Sequence, residues 1–327
     1  MRAAVVYEAG VAPVWADFPE PVVTDGRAVV ELVGAGLHQV VRSRVAGRHY
    51  SVAGRWPAVP GVDAVARTPD GRLVYTGFVD PPWGTMAERM AVPAQFGMEL
   101  PAGADPLAVA AGMNPGAASW LPLSKRRDEL GEHGLGTVLV LGATGMSGGI
   151  AVENAYALGA TRVVAVGRNR AKLEALTSRV GADRDLRTVV LSGDRQTDID
   201  AMVAALNRQP PGIVVDFCWG SVAEAAFQAL GHPDLDIDGY DVSYVQIGTT
   251  AGPDAAVPGA LLRSRNLTLS GSGLGGTPVE EIVARLPEFM KQIAAGAVHI
   301  PYTAYPLSEI AAAWSATDGT RAVIVPD

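Results

Sequence analysis

The segment 137–160, TVLVLGATGMSGGIAVENAYALGA, restricts the possible folds of this chain more than any other segment. Thr137–Leu141 is a β-branched and leucine-rich run, which is typical of a strand buried on both faces. The glycine-rich run Gly142–Gly149 follows, and then an alanine-rich segment with helical propensity that ends at Gly159. The order predicts a strand, a tight turn and a helix. In such a turn, backbone N–H groups and the positive end of the helix bind a phosphate.

A second β-branched run, Arg162–Val166, follows at the spacing of a βαβ unit that binds a dinucleotide. In such a unit an acidic residue after the second strand usually binds the ribose 2′-hydroxyl of NAD. Arg168 stands in this place instead, and its guanidinium can form a bidentate pair with a 2′-phosphate, with Asn169 and Lys172 as helpers. The sequence therefore predicts NADPH as the cofactor. The alternative is that these side chains only lie on a solvated helix start.

The glycine-rich turn is expected to hold the pyrophosphate, through Gly142, Ala143, Thr144, Gly145, Met146 and Gly148. The same segment also fits a different chemistry, because Gly145–Gly149 matches the G-x-S-x-G nucleophile elbow of α/β-hydrolases. In that elbow the serine stands at the strand-to-helix corner, whereas Ser147 is expected in the first turn of the helix. His232 and His299 follow in the chain, so the order of residues leaves a hydrolase triad open.

The composition describes a globular chain with a sizeable core. The 327 residues are 48% hydrophobic and 18% charged, and the net charge of −8 gives no sign of a nucleic-acid surface. No segment approaches the roughly 20 apolar residues of a membrane span, and the N-terminus lacks the apolar core of a signal peptide. Cys218 is the only cysteine, which excludes an intramolecular disulfide and a cysteine-based structural zinc site. We therefore expect a cytoplasmic protein that binds neither nucleic acid nor membrane.

The first 117 residues read as mostly β, and the rest alternates between strands and helices. Strand candidates at 3–7, 28–33 and 73–78 are separated by Gly, Pro and Asp turns, and no long helical periodicity occurs in this part. Six further strands are predicted at 137–141, 162–166, 188–191, 213–216, 243–247 and 267–270. With helices between them, they fit a doubly wound parallel sheet. The tail is predicted to contain helices at 279–295 and 308–316 and strands at 303–305 and 322–325.

The chain resembles the medium-chain dehydrogenase/reductase superfamily over essentially its whole length. Five segments carry the resemblance in this order: VPGVDAVA (59–66), GTMAERMAVPA (84–94), VLVLGATGMSGGIAVENAYALGA (138–160), VQIGTTAGP (245–253) and LLRSRNLTLSGSGLG (261–275). The resemblance implies an α/β fold with a GroES-like, β-rich catalytic domain and an inserted Rossmann domain. We therefore expect a catalytic domain over 1–117, an NADPH-binding domain over 118–272 and a C-terminal return, 273–327, that completes the catalytic domain.

Zinc alcohol dehydrogenases of this superfamily have a cysteine near residues 37–39 and a His-Glu pair in the segment that matches 61–64. This chain has only His38 and Asp63 there, whereas a catalytic zinc site needs three protein ligands. The resemblance therefore implies the zinc-independent quinone oxidoreductase-like branch, without a metal. We expect hydride transfer from NADPH to a quinone or an α,β-unsaturated carbonyl, because these acceptors are already activated and the nicotinamide carries the chemistry.

The resemblance also implies contacts for the nicotinamide and the substrate. The segments that line the nicotinamide side in the family match Ile247, Gly248, Thr249 and Leu274. Tyr50 matches a tyrosine of the enoyl-thioester reductases and can donate a proton to a developing enolate, although a loop aromatic with a backbone partner is an equal alternative. His38-Gln39 replaces the Asn-Pro of those enzymes, which puts thioester substrates in doubt. His38, Asn114 and Trp83 are candidates for the substrate cleft.

Two further functions stay open at this point. With a bulkier substrate the chain would be an enoyl-type or polyketide-tailoring reductase, and without turnover it would bind NADPH as a sensor or a structural ligand. We expect a small-molecule substrate. We also expect a homodimer, because the edge strand predicted at 267–269 can pair across a two-fold axis, as in family dimers.

Overall fold

The computed structural model describes residues 1–49, 55–273, 275–317 and 319–327, and the chain divides into two compact units. The first unit consists of Met1–Asn114 and Pro287–Asp327, and the second consists of Pro115–Leu286. Both boundaries between the units lie at a proline within a helix, Pro115 and Pro287. The sequence-based division at residues 117/118 and 272/273 stays a prediction.

The described residues form fifteen strands and nine α-helices. The strands are β1 (Arg2–Val5), β2 (Val14–Asp17), β3 (Arg27–Gly36), β4 (Asp63–Arg67), β5 (Leu73–Gly77), β6 (Arg89–Pro93), β7 (Met98–Glu99), β8 (Thr137–Leu141), β9 (Arg162–Gly167), β10 (Asp185–Val190), β11 (Ile213–Asp216), β12 (Val242–Gln246), β13 (Leu267–Gly271), β14 (Tyr302–Pro306) and β15 (Arg321–Val325). The helices are α1 (Gln39–Val45), α2 (Pro106–Leu130), α3 (Met146–Ala157), α4 (Arg170–Val180), α5 (Arg195–Leu206), α6 (Gly220–Leu230), α7 (Gly259–Ser264), α8 (Val279–Ala294) and α9 (Ile310–Ser315). Within the described ranges, no helix combines the length and the apolar character that a membrane crossing needs.

The second unit contains a six-stranded parallel sheet in the order β10-β9-β8-β11-β12-β13. This is the strand order of a doubly wound dinucleotide-binding fold. All strands are parallel, and the order in which they are added to the sheet reverses between β8 and β11. The central strands β8 and β11 are buried at every residue, as the unbroken apolar runs predict. The predicted fold class, with a Rossmann sheet in one unit and a β-rich sheet in the other, is confirmed.

The first unit contains a seven-stranded sheet in the order β14-β15-β3-β4-β5-β7, with β6 also paired to β3, and a separate two-stranded sheet of β1 and β2. The C-terminal strand β15 lies antiparallel to β3 and parallel to β14, so the end of the chain is part of this sheet. Buried side chains of β1, β3, β4 and β6 form its core together with Leu307 and Ile310 of the C-terminal segment.

Capping residues explain where two helices that flank the Rossmann sheet begin and where one of them ends. Asn169 caps α4 by accepting a hydrogen bond from the Lys172 N–H at 3.0 Å, and Asp194 caps α5 in the same way through the Thr197 N–H at 2.9 Å. The α5 helix ends at Asn207, which adopts the left-handed conformation that terminates many helices. Each cap fixes where the preceding strand-to-helix loop ends.

The first 117 residues show no long helical periodicity in the sequence, yet a long helix, α2, begins within them. The α2 helix has 25 residues and begins at Pro106, and Asn114 lies inside it. Pro115 and Pro122 also lie inside α2, and prolines at these positions normally argue against a continuous helix. Buried apolar side chains such as Met113 and Trp120 occur around α2 instead of along one stripe, so the sequence shows no helical period.

Candidate functional site

The turn between β8 and α3 is held against the neighbouring strand by backbone hydrogen bonds. The N–H groups of Gly142 and Ala143 both donate to the carbonyl oxygen of Val166, each at 2.9 Å. The Gly145 N–H then donates to the Gly142 carbonyl oxygen at 3.0 Å, which closes the turn before α3 begins at Met146. The glycine-rich run is therefore a tight corner at the carboxyl edge of the sheet, as its sequence predicts.

Two glycines of this turn cannot carry a side chain. A Cβ atom at Gly148 would lie 2.2 Å from the Gly142 carbonyl oxygen, closer than any real contact. Gly142 has a φ of +92°, which side chains rarely permit, and a Cβ atom there would lie 3.0 Å from the Cys218 Sγ. These close approaches place the first turn of α3 directly against the end of β8.

The N-terminus of α3 is suited to an anion. The N-cap Gly145 is extended and has no side-chain hydrogen bond from a described residue, and the first turn contains no acidic residue. The first N–H groups of a helix have no intrahelical acceptor, and the helix dipole adds a partial positive charge to them. Gly145 is exposed, so its backbone is open to a phosphate group. A bound pyrophosphate fits this cradle.

Arg168 follows β9 directly and lies beside the turn. A Cβ atom at Gly167 would lie 2.5 Å from the Thr144 side chain, so the end of β9 packs against the turn residue Thr144. Arg168 is exposed and forms no salt bridge with any described residue. Its positive charge lowers the pKa of the Cys218 thiol, against the larger opposite effect of burial. The Cys218 side chain packs against Gly142. The structure therefore brings Arg168 and the glycine-rich turn to one place.

The two proposed helpers of Arg168 have different surroundings. Asn169 uses its side-chain oxygen to cap α4, so only its amide N–H groups remain to donate to a ligand. Lys172 is exposed in the first turn of α4, on the same segment. The N-cap Asn169 and the cationic Lys172 thus both follow Arg168 within one helical turn.

The segment after β12 reaches the same edge of the sheet. The N–H groups of Ile247 and Gly248 donate to the Asp216 carbonyl oxygen at 2.7 and 3.0 Å. A Cβ atom at Gly248 would lie 2.7 Å from the Phe217 carbonyl oxygen, and Thr249 is exposed beyond it. The residues predicted for the nicotinamide side therefore lie beside the loop that follows β11. Leu274, the fourth of them, lies outside the described residues.

Cys218 belongs to the core of this edge. Its side chain is 8% exposed, and burial together with the negative charge of Asp216 raises the pKa of its thiol to about 11. A thiol with this pKa is almost entirely protonated near neutral pH and is a poor nucleophile. The arrangement argues against a thiolate role and leaves Cys218 a packing role in the core.

The structure argues against the hydrolase alternative. Ser147 is the second residue of α3, as expected, and does not occupy the strand-to-helix corner of a nucleophile elbow. His232 follows the end of α6, and its carbonyl oxygen accepts a hydrogen bond from Arg265, which precedes β13. His232 therefore lies at the amino edge of the sheet, whereas Ser147 lies at the carboxyl edge.

The residues proposed for the substrate are in the first unit. His38 is 2% exposed, and its Nε2 lies 3.3 Å from the Asp63 Oδ1, while the Tyr75 hydroxyl donates to the Asp63 Oδ2 at 2.6 Å. Trp83 is half-buried and donates from Nε1 to the Pro19 carbonyl oxygen at 3.1 Å. Asn114 is half-buried within α2. Tyr50 lies outside the described residues.

Sequence reasoning did not find Tyr75 as a partner of Asp63. Burial and the neighbouring carboxylate raise the pKa of Tyr75 well above its usual value, so it stays protonated and donates to Asp63. No motif marks Tyr75, because its contact depends on the pairing of β4 with β5. Among the described residues, no group of three or more His, Cys, Asp and Glu side chains is placed to hold a metal ion.

Comparisons with known proteins agree with this fold. No family model matches the chain. A probable NADPH-dependent quinone reductase of Emericella nidulans is 30% identical, and the alignment covers 96% of each chain. The quinone oxidoreductase of Thermus thermophilus, which is also known in complex with NADPH, is 25% identical over 99% of this chain and 100% of its own, with a TM-score of 0.74. A mycobacterial quinone oxidoreductase shares the fold over the whole of both chains, with a TM-score of 0.82 and 19% identity.

We predict that Gly148→Ala destabilises the protein although alanine normally stabilises a helix. The added Cβ would collide with the Gly142 carbonyl oxygen, and overpacking of this kind costs about 1–3 kcal/mol of the free energy of unfolding. Gly145→Ala is the matched control, because its Cβ would lie 3.5 Å from the same oxygen and its φ is −83°. Urea unfolding measures both. A neutral or stabilising Gly148→Ala would contradict the close approach.

Proposed function

Because this chain belongs to the medium-chain dehydrogenase/reductase superfamily, in its quinone oxidoreductase-like branch, we propose that it is an NADPH-dependent reductase. The proposed acceptor of the hydride is a quinone or an α,β-unsaturated carbonyl. One observation carries the cofactor part of the proposal. Arg168 stands beside the phosphate-binding turn, in the place where an NAD-dependent protein has a carboxylate. The names of the relatives in Emericella nidulans and Thermus thermophilus support NADPH as the cofactor.

In this proposal the chain binds the cofactor at three places along the carboxyl edge of the Rossmann sheet. The backbone of Gly142–Gly148 and the N-terminus of α3 hold the pyrophosphate. The Arg168 guanidinium pairs with the 2′-phosphate, and Lys172 adds a second positive charge. Ile247–Thr249, tied to Asp216 through two backbone hydrogen bonds, form the wall on the nicotinamide side together with Leu274. The bound cofactor supplies the hydride, and the protein orients it.

The proposal includes a reaction without zinc. His38 and Asp63 are the only two residues at the positions where the zinc-dependent members have their ligands, and a catalytic zinc needs three protein ligands. The Asp63 Oδ2 accepts a hydrogen bond from the Tyr75 hydroxyl, and the Asp63 Oδ1 lies 3.3 Å from the His38 Nε2. An acceptor conjugated to a carbonyl group supplies its own activation, which is why we propose quinones and enones.

We propose Tyr50 as the proton donor to the enolate that hydride addition creates. His38, Asn114 and Trp83 are proposed to contact the substrate. An enoyl-type or polyketide-tailoring reductase with a bulkier substrate would use the same cofactor edge, and so would a protein that binds NADPH without turnover. The measurements below separate these possibilities.

We predict that Arg168→Ala weakens NADPH binding and leaves NADH binding unchanged. A charge-assisted hydrogen bond contributes about 1.5–3 kcal/mol, which corresponds to a rise of roughly 10- to 100-fold in the Kd for NADPH. Titration followed by cofactor fluorescence measures both constants. Arg208→Ala is the control, because Arg208 is an exposed arginine beyond the end of α5 and pairs with Asp236. Equal losses for NADPH and NADH would overturn the role of Arg168.

We predict that the protein oxidises NADPH with quinones or enones, and that 1,10-phenanthroline does not change the rate. The expected result follows from the missing third zinc ligand, and metal analysis of the purified protein checks it independently. In the same assay Tyr50→Phe should lower kcat by about 10²- to 10⁴-fold, the usual contribution of a general acid. A rate that is lost with the chelator and restored by zinc would refute the metal-free reaction. Tight NADPH binding without turnover of any acceptor would favour the non-catalytic alternative.

We also propose a homodimer formed through β13. This strand pairs with β12 on one side, and its residues from Thr268 to Gly271 are exposed. A second copy can continue the sheet across a two-fold axis. We predict a dimer mass in analytical ultracentrifugation and a shift toward the monomer mass for Leu269→Lys, since a charge on an edge strand opposes pairing. A wild-type monomer at micromolar concentration would contradict the proposal.

A further inference from the structure

Asp216, the last residue of β11, has a fully buried side chain whose two oxygens are both engaged. The Oδ1 accepts hydrogen bonds from the N–H groups of Cys218 and Trp219, at 2.7 and 2.9 Å. The Oδ2 accepts the hydroxyl hydrogen of Tyr244, on the neighbouring strand β12, at 2.7 Å. Asp216 is 0% exposed and forms no salt bridge with a described residue. Its carboxyl group therefore serves the protein's own backbone.

The loop that Asp216 holds has an unfavourable backbone. Trp219 has a φ of +54° and a ψ of −157°, a conformation that costs a residue with a side chain on the order of 1–3 kcal/mol. Gly220 follows with a φ of +56°, and a Cβ atom there would lie 2.5 Å from the Ala251 carbonyl oxygen. Such a conformation persists only where surrounding contacts enforce it. The two hydrogen bonds from the loop to the Asp216 Oδ1 are contacts of this kind.

The same loop packs against the phosphate-binding turn. A Cβ atom at Gly142 would lie 3.0 Å from the Cys218 Sγ and 3.3 Å from the Phe217 Cβ. The Phe217 carbonyl oxygen also accepts the hydroxyl hydrogen of Thr250 at 3.0 Å, and the Ala251 N–H donates to the Cys218 carbonyl oxygen at 2.7 Å. The loop thus lies between the turn after β8 and the segment after β12. A shift of the loop would move both.

We propose that Asp216, together with Tyr244, is a positioning residue that fixes the loop 217–220 and thereby sets the shape of the cofactor site. This inference deepens the proposed NADPH function and rests on it. Asp216 acts through the backbone that it binds and does not contact the cofactor. A variant without the Asp216 carboxyl group should therefore bind the cofactor more weakly than a variant elsewhere in the same unit that is equally destabilised.

The proposed role depends on hydrogen bonds and not on negative charge. Burial raises the pKa of Asp216, while the hydrogen bonds from Trp219, Tyr244 and Cys218 lower it, so these hydrogen bonds offset part of the cost of burying the carboxyl group. An asparagine has the same shape, and its oxygen can accept both backbone N–H groups while its amide donates to the Tyr244 oxygen. Asp216→Asn should therefore preserve the loop, whereas Asp216→Ala leaves two N–H groups and the Tyr244 hydroxyl without this partner.

The test compares Asp216→Ala, Asp216→Asn and Tyr244→Phe with the wild type. We expect the Kd for NADPH to rise at least about tenfold, or about 1.4 kcal/mol, for Asp216→Ala. Asp216→Asn should stay close to the wild-type value, and Tyr244→Phe, which loses one of the three hydrogen bonds, should fall between them. Tyr244→Phe also keeps the test decisive where Asp216→Ala does not fold. Ile199→Ala, which removes buried apolar volume from the same core but none of the hydrogen bonds of Asp216, is the control for general destabilisation.

A second readout follows the loop without any cofactor. Cys218 is buried, has a thiol pKa of about 11 and is the only cysteine, so a disulfide reagent should modify the native wild type slowly. We expect a modification rate at least about tenfold higher for Asp216→Ala and a near wild-type rate for Asp216→Asn, because the released loop exposes a thiolate-forming sulfur. Complete labelling in denaturant gives the reference of one equivalent.

Three results would overturn the inference. The first is an equal rise of the Kd for NADPH in Asp216→Ala and Ile199→Ala at matched stability. The second is a loss in Asp216→Asn as large as in Asp216→Ala, which would show that charge and not position matters. The third is a Cys218 labelling rate that none of the Asp216 and Tyr244 variants changes. Failure of the wild type to bind NADPH would refute the proposed function instead, and the labelling arm would then decide alone whether Asp216 holds the loop.

Discussion

The approach of Gly148 to the Gly142 carbonyl oxygen is the constraint on which the rest of the cofactor edge depends. A Cβ atom at Gly148 would lie 2.2 Å from that oxygen, so the corner between β8 and α3 exists only without a side chain at this position. Because the corner is this tight, α3 begins directly above the end of β8, with its unpaired N–H groups at the carboxyl edge of the sheet. The same corner brings Gly142 and Ala143 within hydrogen-bonding distance of Val166, which aligns β9 and places Arg168 next to the helix N-terminus. A local steric fact thus fixes where a phosphate and its countercharge can lie.

The polar groups at the carboxyl edge of the Rossmann sheet have two different roles. Those that shape the backbone are satisfied inside the protein: the Asp216 carboxyl group has partners at both oxygens, and the Asn169 oxygen is used by the Lys172 N–H. Arg168, by contrast, is exposed and pairs with no acidic side chain in the described ranges. A binding site needs this division, because groups that must stay in place require fixed partners, whereas groups that recognise a ligand must keep their hydrogen-bonding capacity for it. Asp216 is therefore better placed to hold the site than to react in it.

The sequence predicted the Rossmann unit well, because strands buried on both faces leave unbroken β-branched runs. The predictions at 137–141 and 213–216 match β8 and β11 to the residue. The largest difference is at β10, which begins at Asp185 instead of 188 because its first half is polar. The α2 helix was missed because it is buried around its circumference and contains two prolines. The network of Asp216 could not be predicted, because Tyr244 reaches it only through the register that pairs Val214 with Tyr244 on adjacent strands. Single-sequence patterns contain strand identity and turn chemistry, but they do not contain register or cross-strand partners.

The first unit shows how the residues at the zinc-ligand positions of the superfamily set the local charge balance. His38 and Asp63 lie 3.3 Å apart, and the second oxygen of Asp63 is bound by the Tyr75 hydroxyl. Arg321 contributes a positive charge in the same region. The Arg321 Nη1 donates to the Leu37 carbonyl oxygen at 2.8 Å, and, against the larger lowering by burial, the negative charge of Asp63 raises the pKa of Arg321. A divalent cation bound to Asp63 would be repelled by the Arg321 guanidinium. The positive charge of Arg321 close to Asp63 therefore supports the proposal of a reaction that needs no zinc.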